Sequence, residues 1–577
     1  MILQALYDYY KRCADNSESG IVALGFAEKE IPFIIDIGSD GVFKRLEDTR
    51  ESDGKKKRAK TFVCIKDAKR SGTMVLPNIG WDKLEYVLGF DGKGETTERS
   101  SNYREAFKAK IKEIEERFPS DADIAAVSRF YDIADNFEAV KADALWKEAL
   151  SIPGCNMTFR VAASNRVLAE DENLAELAAD SDGGEGEKMR CLITGKRAEI
   201  AKLHTACSLG GKSGVKIVNF QVNSGYDSYN KSKGYNAPVS IEAELCYTTA
   251  LNTLLAKDSR NKCAIGETTF IYWGQRKTEM EKVFNSFFES VPKDNPNADV
   301  EVVRAFLESY KNGRLSADDG VRFFVLGMSP NVARVMIRFW WQGSVSEISA
   351  NMSAHFEDLK IVKSRVEETD YVPLFNLLAN ISNEYKISNL PPKIYPETMQ
   401  SIMSGKPYPQ TLHNQCMRRI RADRKISYQR ASILKACLNR KLRQSNKKNE
   451  REITMALDTE NKNQAYLCGR LFAVLEKIQS DASGAVNASI KDKYYGSAST
   501  TPVAVFGRLL DLSNHHEGKL SEGSRVYYRR MIQEIMSDID ASGFPKYLSL
   551  DDQSRFALGY YHQMRALYTK KDKQENE

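Results

Sequence analysis

Beyond Pro409 the sequence reads as helix after helix, and no other feature narrows the fold as far. Apolar residues recur at three- and four-residue spacing through Tyr466–Ile478, Val503–Leu512, Ser524–Ile539 and Leu550–Tyr568. Such stripes must be buried against one another. Ser549 followed by Asp552 predicts a capping box at the start of the last helix. Helical periodicity already dominates from about Thr278 and is interrupted at Leu390-Pro391-Pro392, because proline removes a backbone donor that a helix interior needs.

The first part of the chain is patterned differently. Leu3, Leu6, Tyr7 and Tyr10 predict a short amphipathic helix, whereas Ile31 to Phe43 joins an apolar run to the turn Ser39-Asp40-Gly41 and reads as a hairpin. Phe62 to Ile65 adds a strand. Trp81, Leu84 and Leu88, then Tyr103, Phe107, Ile111, Ile114 and Phe118, return to helical spacing. Residues 170–188 mix acids with Gly and Ser and predict an exposed loop; Val215 to Val222 reads as a strand and Ile241 to Leu255 as a helix. The expected class is α+β: a mixed N-terminal region of short antiparallel strands and helices, followed by an all-helical C-terminal bundle. A chain of 577 residues exceeds one core, and we divide it into 1–390 (mixed region), 391–454 (basic helical connector) and 455–577 (helical bundle). No repeat period points to a solenoid.

Apolar residues at 42% and charged residues at 28% exclude a chain that is disordered, collagen-like or membrane-embedded throughout. Ten scattered cysteines without a close C-x-x-C pair read as reduced thiols in a cytoplasm. Asp8, Lys11 and Arg12 interrupt the N-terminal apolar run, and no stretch has the length of a spanning helix. We therefore expect a cytoplasmic protein with no membrane segment.

The formal charge of +6 says little, because the cations are clustered. Residues 55–70 carry Lys55, Lys56, Lys57, Arg58, Lys60, Lys66, Lys69 and Arg70 against Asp67 alone, seven net charges in 16 residues. That density repels itself unless a polyanion or distant acids compensate it, and nucleic-acid phosphates do so through counterion release. A solvated loop is the other reading. From Arg418 to Arg451 a net of eleven positive charges falls in 34 residues. Arg418, Arg421 and Lys425, at i, i+3 and i+7, would line one helix face while Met417 and Ile420 face the core. This suits a sugar-phosphate track or, equally, a solvated face.

Catalytic signatures are missing. Gly210-Gly211-Lys212-Ser213 lacks the first glycine of a phosphate loop, which would fall on Ala206, and it precedes a strand where it should follow one. Cys191, His204 and Cys207 match no zinc spacing, and His515-His516 has no acid at ligand spacing on the same helical face. We expect no catalytic residue, no metal and no cofactor, hence a binding subunit.

Long segments stand in order along the chain: MILQALYDYY, GF-x-EK-x-IPF with LEDTRE-x-x-GKKKR, PN-x-x-WD-x-x-EYVLG, CLITG with IAKLH, FQVNSGYDSYNKSKGYNAPVS with YTTALN, RFWW, GKPYPQTLHNQCMRRIRADRKISYQRASILKACLNR and MALDTENKNQAYLCGRLFAVLEKIQ. Together they resemble the large subunit of the type I-C CRISPR surveillance complex, Cascade. The similarity spans the chain in order. One departure is the compact TACSLGGKSGVK after IAKLH, where family members often carry a longer linker with more glycine and serine. The resemblance implies a nonenzymatic subunit that reads the short motif beside a target in double-stranded DNA, aids R-loop formation and licenses recruitment of a helicase-nuclease. Its implied partners are the crRNA-containing Cascade subunits, the target duplex and the displaced non-target strand. An internal start at Met455 is implied to yield the small subunit. An independent nucleic-acid enzyme and a structural scaffold are the alternatives.

With sequence reading delegated to a guide, the protein needs few base contacts and many phosphate contacts. Asn78 is the candidate for a base edge, since an amide donates and accepts together, although Asn after Pro77 also caps turns. Asn223, Tyr226, Tyr229, Lys231, Lys233 and Asn236 mix rings, amides and cations suited to unpaired bases, or form a structural loop. Gln275, after Gly274, is a weaker candidate for a wedge between base pairs.

Overall fold

The computed structural model describes residues 1–14, 21–53, 56–68, 70, 74–171, 173–174, 177, 187–220, 231–288, 298–314, 316–365, 368–445, 450–484 and 489–574. They form two compact units, the first Met1–Ser259 with Pro330–Met336 and the second Arg260–Ser329 with Ile337–Glu577. The architecture is α+β, as the periodicities require.

The first unit runs α1 (Ile2–Ala14), β1 (Phe26–Glu30), β2 (Phe33–Ile37), β3 (Phe43–Asp48), β4 (Glu51–Asp53), β5 (Lys56–Arg58), β6 (Thr61–Ile65), β7 (Trp81–Lys83), α2 (Leu84–Val87), α3 (Glu98–Arg117), α4 (Ala122–Phe130), α5 (Asp135–Ala142) and α6 (Trp146–Ser151). It continues with β8 (Asn156–Val161), β9 (Arg166–Val167), β10 (Lys188–Arg190), β11 (Arg197–Glu199), β12 (Cys207–Leu209), β13 (Lys212–Val215) and α7 (Ile241–Leu255). The main sheet has the order β3-β2-β8-β7, with β9 on β8. Strand β2, FIIDI, is buried along its whole length. Side chains alternate along a strand, so Phe33, Ile35 and Ile37 join a core with Phe107, Phe130 and Phe159, while Ile34 meets Phe62, Cys64 and Trp81. Phe62 and Cys64 come from β6, which pairs with β1 as a separate antiparallel ribbon. The β2–β3 pair is the expected hairpin, and Gly41 supplies its positive φ of 84°.

Three expectations need correction here. Strands β2 and β8 pair in parallel, Phe33 opposite Met157, so the sheet is mixed rather than antiparallel. Trp81 lies in a strand opposite Thr158, and the helix at Leu84 lasts only to Val87. The strand expected at Val215 to Val222 instead ends at Val215, on a hairpin turned by Gly210 and Gly211, both at positive φ. Residues 221 and 222 lie outside the described residues.

The second unit contains β14 (Lys262–Ile265), β15 (Thr268–Gly274), α8 (Glu279–Phe288), α9 (Ala298–Lys311), β16 (Arg322–Asn331), β17 (Arg334–Ser344), α10 (Val345–Leu359), α11 (Leu374–Ala379) and α12 (Ile394–Met403). It ends with α13 (Gln410–Asp423), α14 (Tyr428–Gln444), α15 (Gln464–Ser483), α16 (Ile490–Ala498), α17 (Phe506–Glu517), α18 (Glu522–Met536) and α19 (Leu550–Gln574). Helical periodicity from Thr278 onward does not hold: 322–344 belong to strands of the sheet β14-β15-β16-β17. Beyond Ser344 the elements are helical. One cluster of buried side chains runs along the sequence from Cys263 to Leu567 and so spans both the 390 and the 455 boundary. At the start of α19 the Asp552 N–H donates to Ser549 Oγ at 3.2 Å, as the capping box predicts. No helix among the described residues is long and apolar enough to cross a membrane.

Candidate nucleic-acid interface

The first basic segment is an edge of short strands. In β6 the pattern alternates, Phe62 and Cys64 inward, Thr61 and Val63 outward, which leaves Lys60 at the exposed entrance. Strand β5 pairs with β4 so that Lys57 stands opposite Ser52 and Arg58 opposite Glu51. Distant acids answer part of the charge. Lys57 Nζ lies 3.5 Å from Asp48 and 3.4 Å from Glu148, and Arg58 lies 3.1 Å from Asp258 and 3.4 Å from Glu30. Lys60 has no ion pair among the described residues; its Nζ sits 5.1 Å over the Phe62 ring. It opens onto a cleft of about 760 Å³ shared with Arg160 and Arg166. Lys66 is half-buried. Lys55 and Lys69 lie outside the described residues, as does the side chain of Lys56.

Just downstream, Arg70 and Asn78 form a lock with Asp82, which the sequence reading did not single out. Asp82 is fully buried and accepts from the Arg70 guanidinium and from the Asn78 and Lys83 N–H groups at 2.8 Å. Burial pushes its carboxyl above the usual range, and the Arg70 charge only partly restores it. Arg70 also donates to Leu76 O at 2.6 Å and lies 4.1 Å over the Tyr86 ring. Asn78 is 4% exposed, and its Oδ1 accepts from the Ala68 N–H at 2.9 Å. In this conformation the amide oxygen caps the loop, while Met74, Val75 and Leu76 stand exposed. The one sequence signal for Asp82 was the WD pair following Pro77-Asn78.

Of the aromatic and cationic stretch, Asn223, Tyr226 and Tyr229 lie outside the described residues. Asn236 Nδ2 donates to the Lys231 and Lys233 carbonyls, at 2.9 and 3.2 Å, and so ties that turn together. In the second unit Gln275 is exposed at the end of β15, on a stiff corner: its N–H donates to Arg322 O at 2.7 Å and the Gly274 N–H to Glu281 at 2.6 Å.

Much of the second basic region faces inward. Asp358, 3% exposed, takes Arg440 at 2.6 Å and Arg443, and its carbonyl accepts from Lys435 Nζ at 2.9 Å. Arg430 is held by Asp423 and by the Asn380 and Lys425 carbonyls; Lys441 meets Asp551 at 2.6 Å. Met417 and Ile420 are buried as expected, and Arg418 and Arg421 are exposed, Arg421 donating to Gln553. The row of three cations on one helix face is not formed. Helix α13 stops at Asp423, and Arg424 turns the chain at φ 50°. Lys425 is thereby placed in a cleft of about 1450 Å³ together with Arg419, from the same basic region, and with Arg365 and Arg565, two cations the sequence reading missed.

Cys191 and His204, weighed above as metal ligands, make hydrogen bonds within the fold. Cys191 Sγ accepts from the Ile193, Thr194 and Ser240 N–H groups; burial raises the thiol, but the hydrogen bonds from Ser240 and Thr194 outweigh it and bring it down to about 7. His204 hydrogen-bonds the Tyr247 hydroxyl. Among the described residues no group of three or more His, Cys, Asp or Glu could hold a metal ion, and all ten cysteines are buried.

No curated protein matches the chain. A family model described as CRISPR-associated protein (Cas_Csd1) matches residues 6–568, a span that takes in the basic edge, the Asp82 lock and the cleft around Lys425. Because that match covers nearly all of the sequence, the chain belongs to the CRISPR-associated family Cas_Csd1.

Proposed function

We propose that this chain is the nonenzymatic large subunit of a type I-C Cascade complex, reading the motif beside the target in double-stranded DNA, aiding R-loop formation and recruiting a helicase-nuclease. The observation that carries the reading is the edge that exposes Lys57 and Lys60 beside the half-buried Arg58. Its ion pairs with acids sit at or near the surface, where solvent screens them, so a phosphate backbone that releases counterions can replace them. Beside that edge, Asn78 acts as a positioning residue: it fixes the loop whose exposed side chains meet the duplex.

Binding of the assembled complex to targets with a panel of flanking motifs tests this. Lys57→Gln with Lys60→Gln should weaken binding to every sequence and lower the salt slope by about 2. Asn78→Ala should relax discrimination among motifs and speed exchange of the Ala68 amide. Unchanged discrimination with a freed amide would remove Asn78 from the reading; an unchanged salt slope would favour a scaffold.

The same reading includes a second product starting at Met455. That residue is 57% exposed and shortly precedes α15, and the following helices contribute Leu471, Phe472, Phe506, Leu509 and Phe556 to the buried core. Met455→Leu should abolish a short co-expressed chain while full-length protein persists; a short band that survives the substitution counts against it.

A further inference from the structure

The second unit holds the cleft of about 1450 Å³ around Lys425, and nothing above gives it an occupant. Its volume exceeds the 300–1,000 Å³ usual for small ligands, which suits a length of polymer. The three acids that line it are already engaged. Asp423 takes Arg419 at 2.6 Å and Arg430. Glu368 accepts from the Ser364 N–H at 2.6 Å and the Arg365 N–H at 3.2 Å, and Glu384 pairs with Lys386 at 2.8 Å. Arg365 and Lys425 have no ion pair among the described residues, so the cleft carries an unanswered positive charge.

Its rim adds a ring. Glu384 and Tyr385 both adopt φ 56°, a left-handed conformation costly for residues with a side chain, and Tyr385 is 66% exposed. The turn is held in place, because Asn383 Oδ1 accepts from Arg419 at 3.2 Å and its carbonyl accepts from Asn389 at 3.0 Å. A strained turn, anchored by a cation of the cleft, thus displays an aromatic face at the mouth. Rings beside cations that follow a backbone are the means by which proteins hold unpaired bases.

We infer that this cleft binds a segment of single-stranded nucleic acid, with Tyr385 stacked on a base and Arg365 and Lys425 on flanking phosphates. The inference deepens the proposed function and rests on it for the source of the strand. DNA and RNA share the recognised chemistry, and the test separates them.

Full-length protein would be titrated with 2-aminopurine-labelled single strands of one sequence, as DNA and as RNA. Tyr385→Asn removes the ring and suits the left-handed backbone, so the variant stays folded, as thermal unfolding would confirm. It should bind about tenfold more weakly and lose the stacking signal, whereas Tyr385→Phe should match the parent. Arg365→Gln with Lys425→Gln should lower the salt slope by about 1.4. Preference for DNA would assign the cleft to the displaced strand, and preference for RNA to the guide. If Tyr385→Asn and the double neutralisation both bind like the parent, the cleft assignment is overturned. The duplex-recognition reading is judged separately, by the Lys57 and Lys60 substitutions.

Discussion

Asp358 shows how a single buried carboxylate changes the meaning of a charge run. Arg440 is 4% exposed and Lys435 5%, and both end on Asp358, as does Arg443. Removing one partner of a buried ion pair leaves a charge without compensation. Asp358→Asn should therefore cost about 3–5 kcal/mol in denaturant unfolding, and a loss below about 1 kcal/mol would mean that Arg440 finds other partners. From sequence the inward positions of Met417 and Ile420 were legible, because apolar spacing on a helix states its buried face. The destination of the cations was not: Asp358 is more than seventy residues from Lys435, and pairing over that separation leaves no periodic trace. Asp82 escaped notice for a related reason, since the WD pair that marks it does not say that the carboxylate is buried against Arg70.

Helices α15 and α19 approach closely through reciprocal glycines. A Cβ at Gly469 would strike the Phe556 carbonyl, and one at Gly559 the Tyr466 carbonyl. Gly469→Ala and Gly559→Ala should each destabilise by about 1–3 kcal/mol through overpacking. Gly496→Ala, at an exposed position in the last turn of α16 with nothing near its Cβ, should stabilise by up to about 1 kcal/mol. Thermal unfolding of the three variants checks the contrast, and equal effects would sink it. Helices were the most legible elements because their period is long and repeated. Strands β16 and β17 were not, since VLGM and FWW are apolar on both faces and lack the alternation that would separate strand from buried helix. The parallel partnership of β2 and β8 joins segments more than one hundred residues apart, beyond any local signal.

At the scale of the whole molecule, acid sensitivity should concentrate in the second unit. Burial holds His355 well below its usual range, His413 down to about 4 and His562 to about 3. Each hydrogen-bonds a hydroxyl: His355 to Tyr408, His413 to Ser554 at 2.6 Å, His562 to Tyr466 at 2.9 Å. Below pH 6.5 the unfolded chain takes up protons that these folded imidazoles refuse, so stability falls as pH drops toward 4. His413 alone would contribute about 3 kcal/mol to that loss when fully titrated. Ordinary carboxylates titrate lower, so urea midpoints at pH 7, 6 and 5 isolate the effect; a flat profile would refute it. The α+β class and the basic edge were legible because composition and period report them directly. The cleft was not, because Tyr385 and Lys425 come to line one space only after the chain has folded.

The unbroken core from Cys263 to Leu567 bears on any chain that begins at Met455. In the full-length protein Ser554 meets His413, Gln553 meets Arg421, and the Tyr561 hydroxyl donates to Val362 O at 2.8 Å. A separately translated tail would display that flank uncovered, with the pattern of one half of a broken seam. Free copies would tend to adhere to one another or to sister surfaces, and the ratio of short to long chains would set how far such a stack grows.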